Sequence, residues 1–218
     1  MAEQNERLRA EVAALKEELR AVSEHRLENE RLRLLVGLKE QASDVPMIAA
    51  RVISTSPTPL FRAVRIDKGS RHGVQVGCAV VVHDGVVGRV AALSPFSSDV
   101  MLIVDTNSSI DVLVQRTRAR ARVRGEGGDH GLSLVTEHLA RTEEVEPGDL
   151  LITSGAGESF PKGLAVGTVA ELTRGAFGLY QHARAEPSVD LSRIEDVMVI
   201  PAGFPETASF ETQGEEAP

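Results

Sequence analysis

The chain is poor in the side chains that many functions require. It has no tryptophan, one tyrosine and six phenylalanines. Single-stranded nucleic acid is held largely by stacking bases on aromatic faces, so this chain lacks the usual platform. Its formal charge is −8, from 24 basic and 32 acidic residues. Sequence-independent binding of nucleic acid depends on neutralising phosphates, which an acidic chain does badly. Cys78 is the only cysteine, which excludes an intrachain disulfide and a cysteine-based metal site but leaves the compartment open. The six histidines (His25, His72, His83, His130, His138 and His182) show no close pair at metal-ligand spacing, and no metal or cofactor is expected. No run of about 18 apolar residues occurs, so no segment is long and apolar enough to cross a membrane as a helix. No secretory signal precedes the body of the chain.

Glycine and proline are also scarce at the start. Residues 3–42 contain one glycine, Gly37, and no proline. Asn5, Leu8, Val12, Leu15, Leu19 and Val22 alternate at three- and four-residue spacing. This is an a/d seam, with Asn5, Val12 and Leu19 at a and Leu8, Leu15 and Val22 at d. A β-branched a residue with Leu at d favours a parallel dimer, and an a-position Asn fixes the register. Glu11 and the following Lys16 are placed to attract across such a pair. Arg26, Asn29 and Arg33 occupy the next seam positions, while Leu27, Leu34, Leu35 and Leu38 form a second, offset apolar set. The pattern predicts one long helix whose second half turns another face towards the rest of the chain. Ser43-Asp44-Val45-Pro46 ends it, because the residue before proline disfavours the α conformation. The chain begins inside the heptad pattern, which suggests a segment upstream of Met1-Ala2.

From Pro46 the character changes to short apolar runs punctuated by turn signals, as in barrels or sandwiches. Strands are predicted at 48–54, 63–67, 79–83, 86–92, 100–104, 110–115, 132–136, 150–153, 165–172, 183–187 and 197–200. Asp84-Gly85 is a two-residue hairpin signal. Arg116, Arg118, Arg120, Arg122 and Arg124 alternate with small or apolar residues. On a strand they would leave one face and form a basic ridge, either a partner surface or a solvated face that discourages edge pairing. The glycine-rich stretch 125–131 has no strand-then-helix setting and is read as a loop, not a phosphate cradle. The fold class is mainly β behind a long helix. Expected divisions are a coiled-coil helix at 3–44, a first β unit at 46–118 that may also take C-terminal strands, a second at 119–201, and a disordered acidic tail at 202–218.

Ser154 offers one enzymatic reading. Ser154, in Thr153-Ser154-Gly155-Ala156-Gly157, lacks the G-x-S-x-G elbow. His72 or His83 could serve as base and Asp105 as orienter, but a triad is defined by geometry, and nothing in the spacing brings these residues together. The rival to a non-catalytic role is therefore a serine hydrolase on a two-barrel body with Ser154 as nucleophile.

Several blocks, taken in order, resemble the rod shape-determining MreC family. They are Glu28-Asn29-Glu30-Arg31-Leu32-Arg33-Leu34-Leu35, then 66–74 (IDKGSRHGV), 85–90 (GVVGRV), 147–155 (PGDLLITSG) and 160–167 (FPKGLAVG). The resemblance covers about residues 27–201. It implies a coiled-coil helix followed by two small β-barrels like those of chymotrypsin without the catalytic residues. It implies a non-enzymatic scaffold of the elongasome that self-associates, as a parallel dimer or filament, and positions or activates peptidoglycan synthases to maintain rod shape. The implied partners are a class B penicillin-binding transpeptidase, MreD, RodA, RodZ and MreB. The implied location is the periplasmic side of the bacterial inner membrane, with a single span upstream of this sequence. Gly69, Gly73, Gly85, Gly88, Gly155, Gly163 and Gly167 suit structural turns and close strand approaches. Phe160-Pro161 is expected to plug a barrel end, and Phe61 to stand where family members carry a large aromatic.

Overall fold

The computed structural model describes residues 2–41, 46–56, 61–127, 131–156, 159–173 and 179–201, and within the helix the side chains of residues 16, 17, 20 and 22–39. The helix α1 (Ala2–Gln41) has 40 residues, a length of about 60 Å at 1.5 Å per residue. The expected helix stop at Ser43-Asp44-Val45 and the acidic tail at 202–218 lie outside the described residues.

The strands in chain order are β1 (Ile48–Thr55), β2 (Ala63–Ile66), β3 (Ala79–Val82), β4 (Gly85–Leu93), β5 (Ser98–Leu102), β6 (Ile110–Val114), β7 (Arg120–Gly125), β8 (Leu134–Glu137), β9 (Leu139–Ala140), β10 (Leu150–Thr153), β11 (Ala165–Thr173), β12 (Tyr180–Pro187) and β13 (Asp196–Ile200). They form two closed barrels. The first runs β1-β13-β3-β4-β5-β2 and back to β1. The second runs β11-β10-β6-β7-β8-β12, and pairing of β11 with β12 closes it, while β9 pairs with β12 beside β8. Closure leaves few free strand edges, which removes the usual route to edge-to-edge association. A mainly β fold with two barrels and one N-terminal helix is thus what the chain adopts.

The unit boundary expected at 118/119 is displaced. It falls inside the β6–β7 hairpin, whose register pairs Ile110 with Val123 and Leu113 with Arg120. The other edge of β6 is taken by β10, so β6 belongs to the second barrel. The gap between β1 and β3 in the first barrel is filled by β13, which pairs Ala50 with Val197 and Ala79 with Ile200. The first barrel is therefore residues 48–102 with 196–200, and the second is 110–187.

Burial follows from this topology. Val197, Val199 and Ile200 are fully buried, and Met198 nearly so. Both faces of β13 are covered because one faces the barrel interior and α1 packs on the strand from outside. β12, in contrast, alternates buried Gln181, Ala183 and Ala185 with exposed His182, Arg184 and Glu186, the pattern of a strand with one wet face.

Candidate interaction surfaces

The helix has two faces with different fates. Leu35 and Leu38 are 6% and 4% exposed against the first barrel. Beside them Arg31 Nη2 lies 2.7 Å from Glu195, and Arg51 of β1 bridges Asp196 at 3.2 Å and Glu28 at 3.3 Å. Burial of two leucines is worth about 1.5–3 kcal/mol each. Half-exposed ion pairs are worth about 0–1 kcal/mol, so the leucines set the docking and the ion pairs set its angle. Leu27 and Leu34, the other members of the offset apolar set, remain 53% and 48% exposed.

With about 100° between successive residues, the continued seam points away from that docked face. Val22 and Val36 are 59% and 54% exposed, and Arg26, Asn29 and Arg33 between them are exposed. Asn5, Leu8, Val12, Leu15 and Leu19 lie on the same helix, but their side chains are outside the described set.

Among the described residues, the barrels touch around Asp105 and at the β3–β4 hairpin. Asp105, in the β5–β6 connection, is 1% exposed. Its Oδ2 accepts the Arg62 N–H at 2.7 Å, its Oδ1 accepts the Asn107 N–H at 2.8 Å, and its carbonyl accepts the Gly125 N–H at 3.2 Å. One carboxylate thereby ties the edge of β2 to the connection, while its backbone reaches β7. At the second place the β3–β4 hairpin touches β11. A Cβ on Gly85 would lie 2.3 Å from the Ala165 carbonyl oxygen, and Gly85 has φ +144, so contact and conformation both demand glycine. Val82 pairs with Gly85, so His83-Asp84 form the hairpin loop, one residue earlier than expected.

The basic ridge is not formed. β7 begins only at Arg120; Arg116–Arg118 make the preceding turn, with Arg118 at φ 62. Arg116 instead grips Asp149 with two hydrogen bonds of 2.8 and 2.9 Å. Arg122 pairs with Asp111 at 2.9 Å and Arg124 with Glu137. Of the five arginines, Arg118 and Arg120 have no ion pair among the described residues. Alternation placed Arg120, Arg122 and Arg124 on one face, but carboxylates on the neighbouring strands neutralise two of them. Hydrogen bonding to Arg116, more than any other cause, holds the Asp149 carboxyl below its ordinary range, and Arg124 does the same for Glu137.

The candidate triad is not assembled. Ser154 Oγ accepts the Ala156 N–H at 3.1 Å, and His72 Nδ1 accepts the Gly69 N–H at 3.1 Å. His83 is exposed on its hairpin, and Asp105 is committed to the barrel junction. No base is hydrogen-bonded to Ser154 among the described residues.

The remaining motif positions line the barrel connections. A Cβ on Gly88 would stand 2.0 Å from the Met101 carbonyl oxygen, one on Gly69 2.2 Å from that of Ser94, and one on Gly167 2.5 Å from that of Glu186. Gly73, Gly155 and Gly163 have positive φ. Phe160 and Pro161 are buried beside β10, where Thr153 Oγ1 donates to the Pro161 carbonyl and accepts the Leu164 N–H at 2.9 Å. Phe61 precedes β2 and is 41% exposed. The Arg31–Glu195–Asp196–Arg51 cluster escaped the sequence reading, because no local spacing joins residues so far apart in the chain.

Comparison with known proteins agrees with this architecture. Residues 52–201 match the family model of the rod shape-determining protein MreC, barrel core. The chain is 34% identical over 197 residues to the cell shape-determining protein MreC of Escherichia coli, covering 90% of this chain and 53% of that protein. It is 30% identical over 227 residues to its Bacillus subtilis counterpart, covering 97% and 76%. The chain thus spans about half the length of the Escherichia coli relative and of the Caulobacter vibrioides relative, for which the share is 54%. The crystal structure of MreC from Pseudomonas aeruginosa superposes with a TM-score of 0.67 at 33% identity, over 71% of this chain and 99% of that one. A chain from the complex between PBP2 and MreC of Helicobacter pylori shares the fold alone, with a TM-score of 0.54 at 18% identity over 71% of this chain and 99% of that one. The chain belongs to the family of the rod shape-determining protein MreC and carries that family's barrel core.

Proposed function

We propose that the chain is a non-enzymatic scaffold on the periplasmic side of the inner membrane, which self-associates through α1 and presents its barrels to peptidoglycan synthases. The observation that carries this reading is the two-faced helix. Leu35 and Leu38 bind it to the first barrel, while Val22 and Val36 stay exposed on the opposite side. A second copy can therefore pair along Asn5, Leu8, Val12, Leu15, Leu19 and Val22 without displacing the barrel. Pairing would set the distance between protomers, and the rigid barrels would carry the contact surface. No described helix is long and apolar enough to cross a membrane.

The Helicobacter pylori relative forms a complex with PBP2, which supports a class B penicillin-binding transpeptidase as the direct partner here. MreD, RodA, RodZ and MreB belong to the same reading as the remaining members of the assembly. The test is sedimentation of the chain alone and with the extracytoplasmic part of the same organism's elongation transpeptidase. The chain is expected to dimerise and to bind. Leu15→Glu is expected to give a monomer that still binds one to one, with the avidity of the dimer lost. An unchanged oligomeric state in Leu15→Glu removes the seam from the proposal, and absence of binding by either protein removes the transpeptidase.

A further inference from the structure

We infer that the groove between α1 and the first barrel is a receptor for one arginine or lysine side chain of a partner polypeptide. The groove is a solvent-open cavity of about 240 Å³ where three elements meet: α1, the β3–β4 hairpin and the β12–β13 connection. Small-molecule sites usually hold about 300–1,000 Å³, so this cavity suits a single side chain better. Leu34, Leu35, Val82, Val189 and Ile194 form apolar walls. Such walls suit the methylene stem of a long cationic side chain, whose head must still reach polar groups.

The head would meet carboxylates. Asp84, Asp190, Glu195 and Asp196 line the cavity against two guanidinium groups, Arg31 and Arg193. Arg193 is turned to Asp190 at 3.6 Å and Arg31 to Glu195 at 2.7 Å. Asp84 has no ion-pair partner among the described residues. The deciding group is Asp196, whose side chain is 10% exposed and whose Oδ1 is held by Arg51. Its Oδ2 is buried and has no hydrogen bond, and neither has Arg31 Nε. Arg31 Nη2 lies 3.8 Å from that oxygen, beyond hydrogen-bond reach. Arg31 lies nearer Glu195 than Asp196, so Asp196 Oδ2, buried beneath the cavity wall, lacks a hydrogen-bond donor that a second cation would supply once Arg31 moves aside. A charge-assisted bond to that oxygen would be roughly twice as strong as a neutral one. The chemistry of the groove is the same whichever polypeptide fills it, so the receptor stands or falls apart from the transpeptidase reading.

The experiment is methyl NMR of the full chain, labelled at Ile, Leu and Val, titrated with N-acetyl-arginine N-methylamide and with its neutral isostere, N-acetyl-citrulline N-methylamide. Leu34, Val82, Val189 and Ile194 are expected to shift saturably with the arginine probe. The citrulline probe is expected to bind roughly tenfold more weakly or worse. Asp84→Asn, on an exposed loop, is expected to weaken the arginine probe several-fold while leaving the rest of the spectrum intact. Asp196→Asn is expected to abolish its binding, with the barrel methyl resonances confirming that the protein is folded. Equal binding of both probes, shifts scattered over the surface without saturation, or full binding by Asp84→Asn and Asp196→Asn would each overturn the assignment.

Discussion

β13 closes the first barrel from the far end of the chain, pairing with β1 and β3, whereas every strand of the second barrel lies between residues 110 and 187. The second barrel is thus an uninterrupted insertion into the first. Closing the first barrel joins Ile48 to Val199, the longest loop closure in the body, which costs more entropy than the shorter closures of the second. The outer surfaces differ as well. The first barrel is covered along β13 by α1. The second carries no helix among the described residues, while cross-strand arginine–carboxylate pairs occur on both, Arg65–Asp99 on the first and Arg122–Asp111 on the second. Both barrels are held by apolar interiors; the difference teaches that one closes by chain return beneath a helix and the other by its own continuity.

The sharpest way to break the comparison is Val199→Asp. Val199 is fully buried on the closing strand, and an unpaired carboxylate there is expected to cost more than about 4 kcal/mol. Hydrogen exchange should show the first barrel opening while β6–β12 keep much of their protection. Equal loss in both barrels would mean that the second depends on the first. A smaller effect is expected from Leu35→Ala, about 2–3 kcal/mol of lost packing. Exchange should rise in α1 near residues 31–38 and leave the second barrel unchanged.

The smallest effect concerns an arginine–carboxylate pair and is one of pH. Asp149 is held below its ordinary pKa by Arg116. A depressed carboxyl stabilises the fold above its unfolded value, about 3.9, and that stability fades as pH falls through the lower folded value. The difference in Tm between the chain and Arg116→Ala should be full at neutral pH and shrink below about pH 4. A difference that persists at pH 2 would assign the effect to packing of the Arg116 stem.

Much of this was legible in residue order. Alternation and turn residues located the strands to within a few residues, with the two-residue β9 the main omission. The exception at Arg116–Arg124 is instructive. Alternation cannot tell a strand from the turn that precedes it, and Arg118 takes a positive φ that its side chain does not announce. Nor can a row of arginines show whether carboxylates stand opposite, because Asp111 and Glu137 reach Arg122 and Arg124 only through strand pairing. In the helix, spacing signalled a second apolar face beside the proposed seam. Which leucines of that face are buried depended on where the first barrel meets the helix: Leu35 and Leu38 are covered, and Leu27 and Leu34 stay about half exposed.

By itself the sequence determined the long helix, the strand-rich body and the positions where only glycine fits a turn. These follow from local periodicity and backbone sterics, which neighbouring residues settle among themselves. Tertiary structure alone decided that β13 returns to the first barrel, that β6 belongs to the second, and that Arg31, Arg51, Glu195 and Asp196 meet beneath the helix. Backbone hydrogen bonds are alike for every strand, so the choice of partner rests on which arrangement buries most apolar surface and leaves fewest edges open, a property of the whole chain.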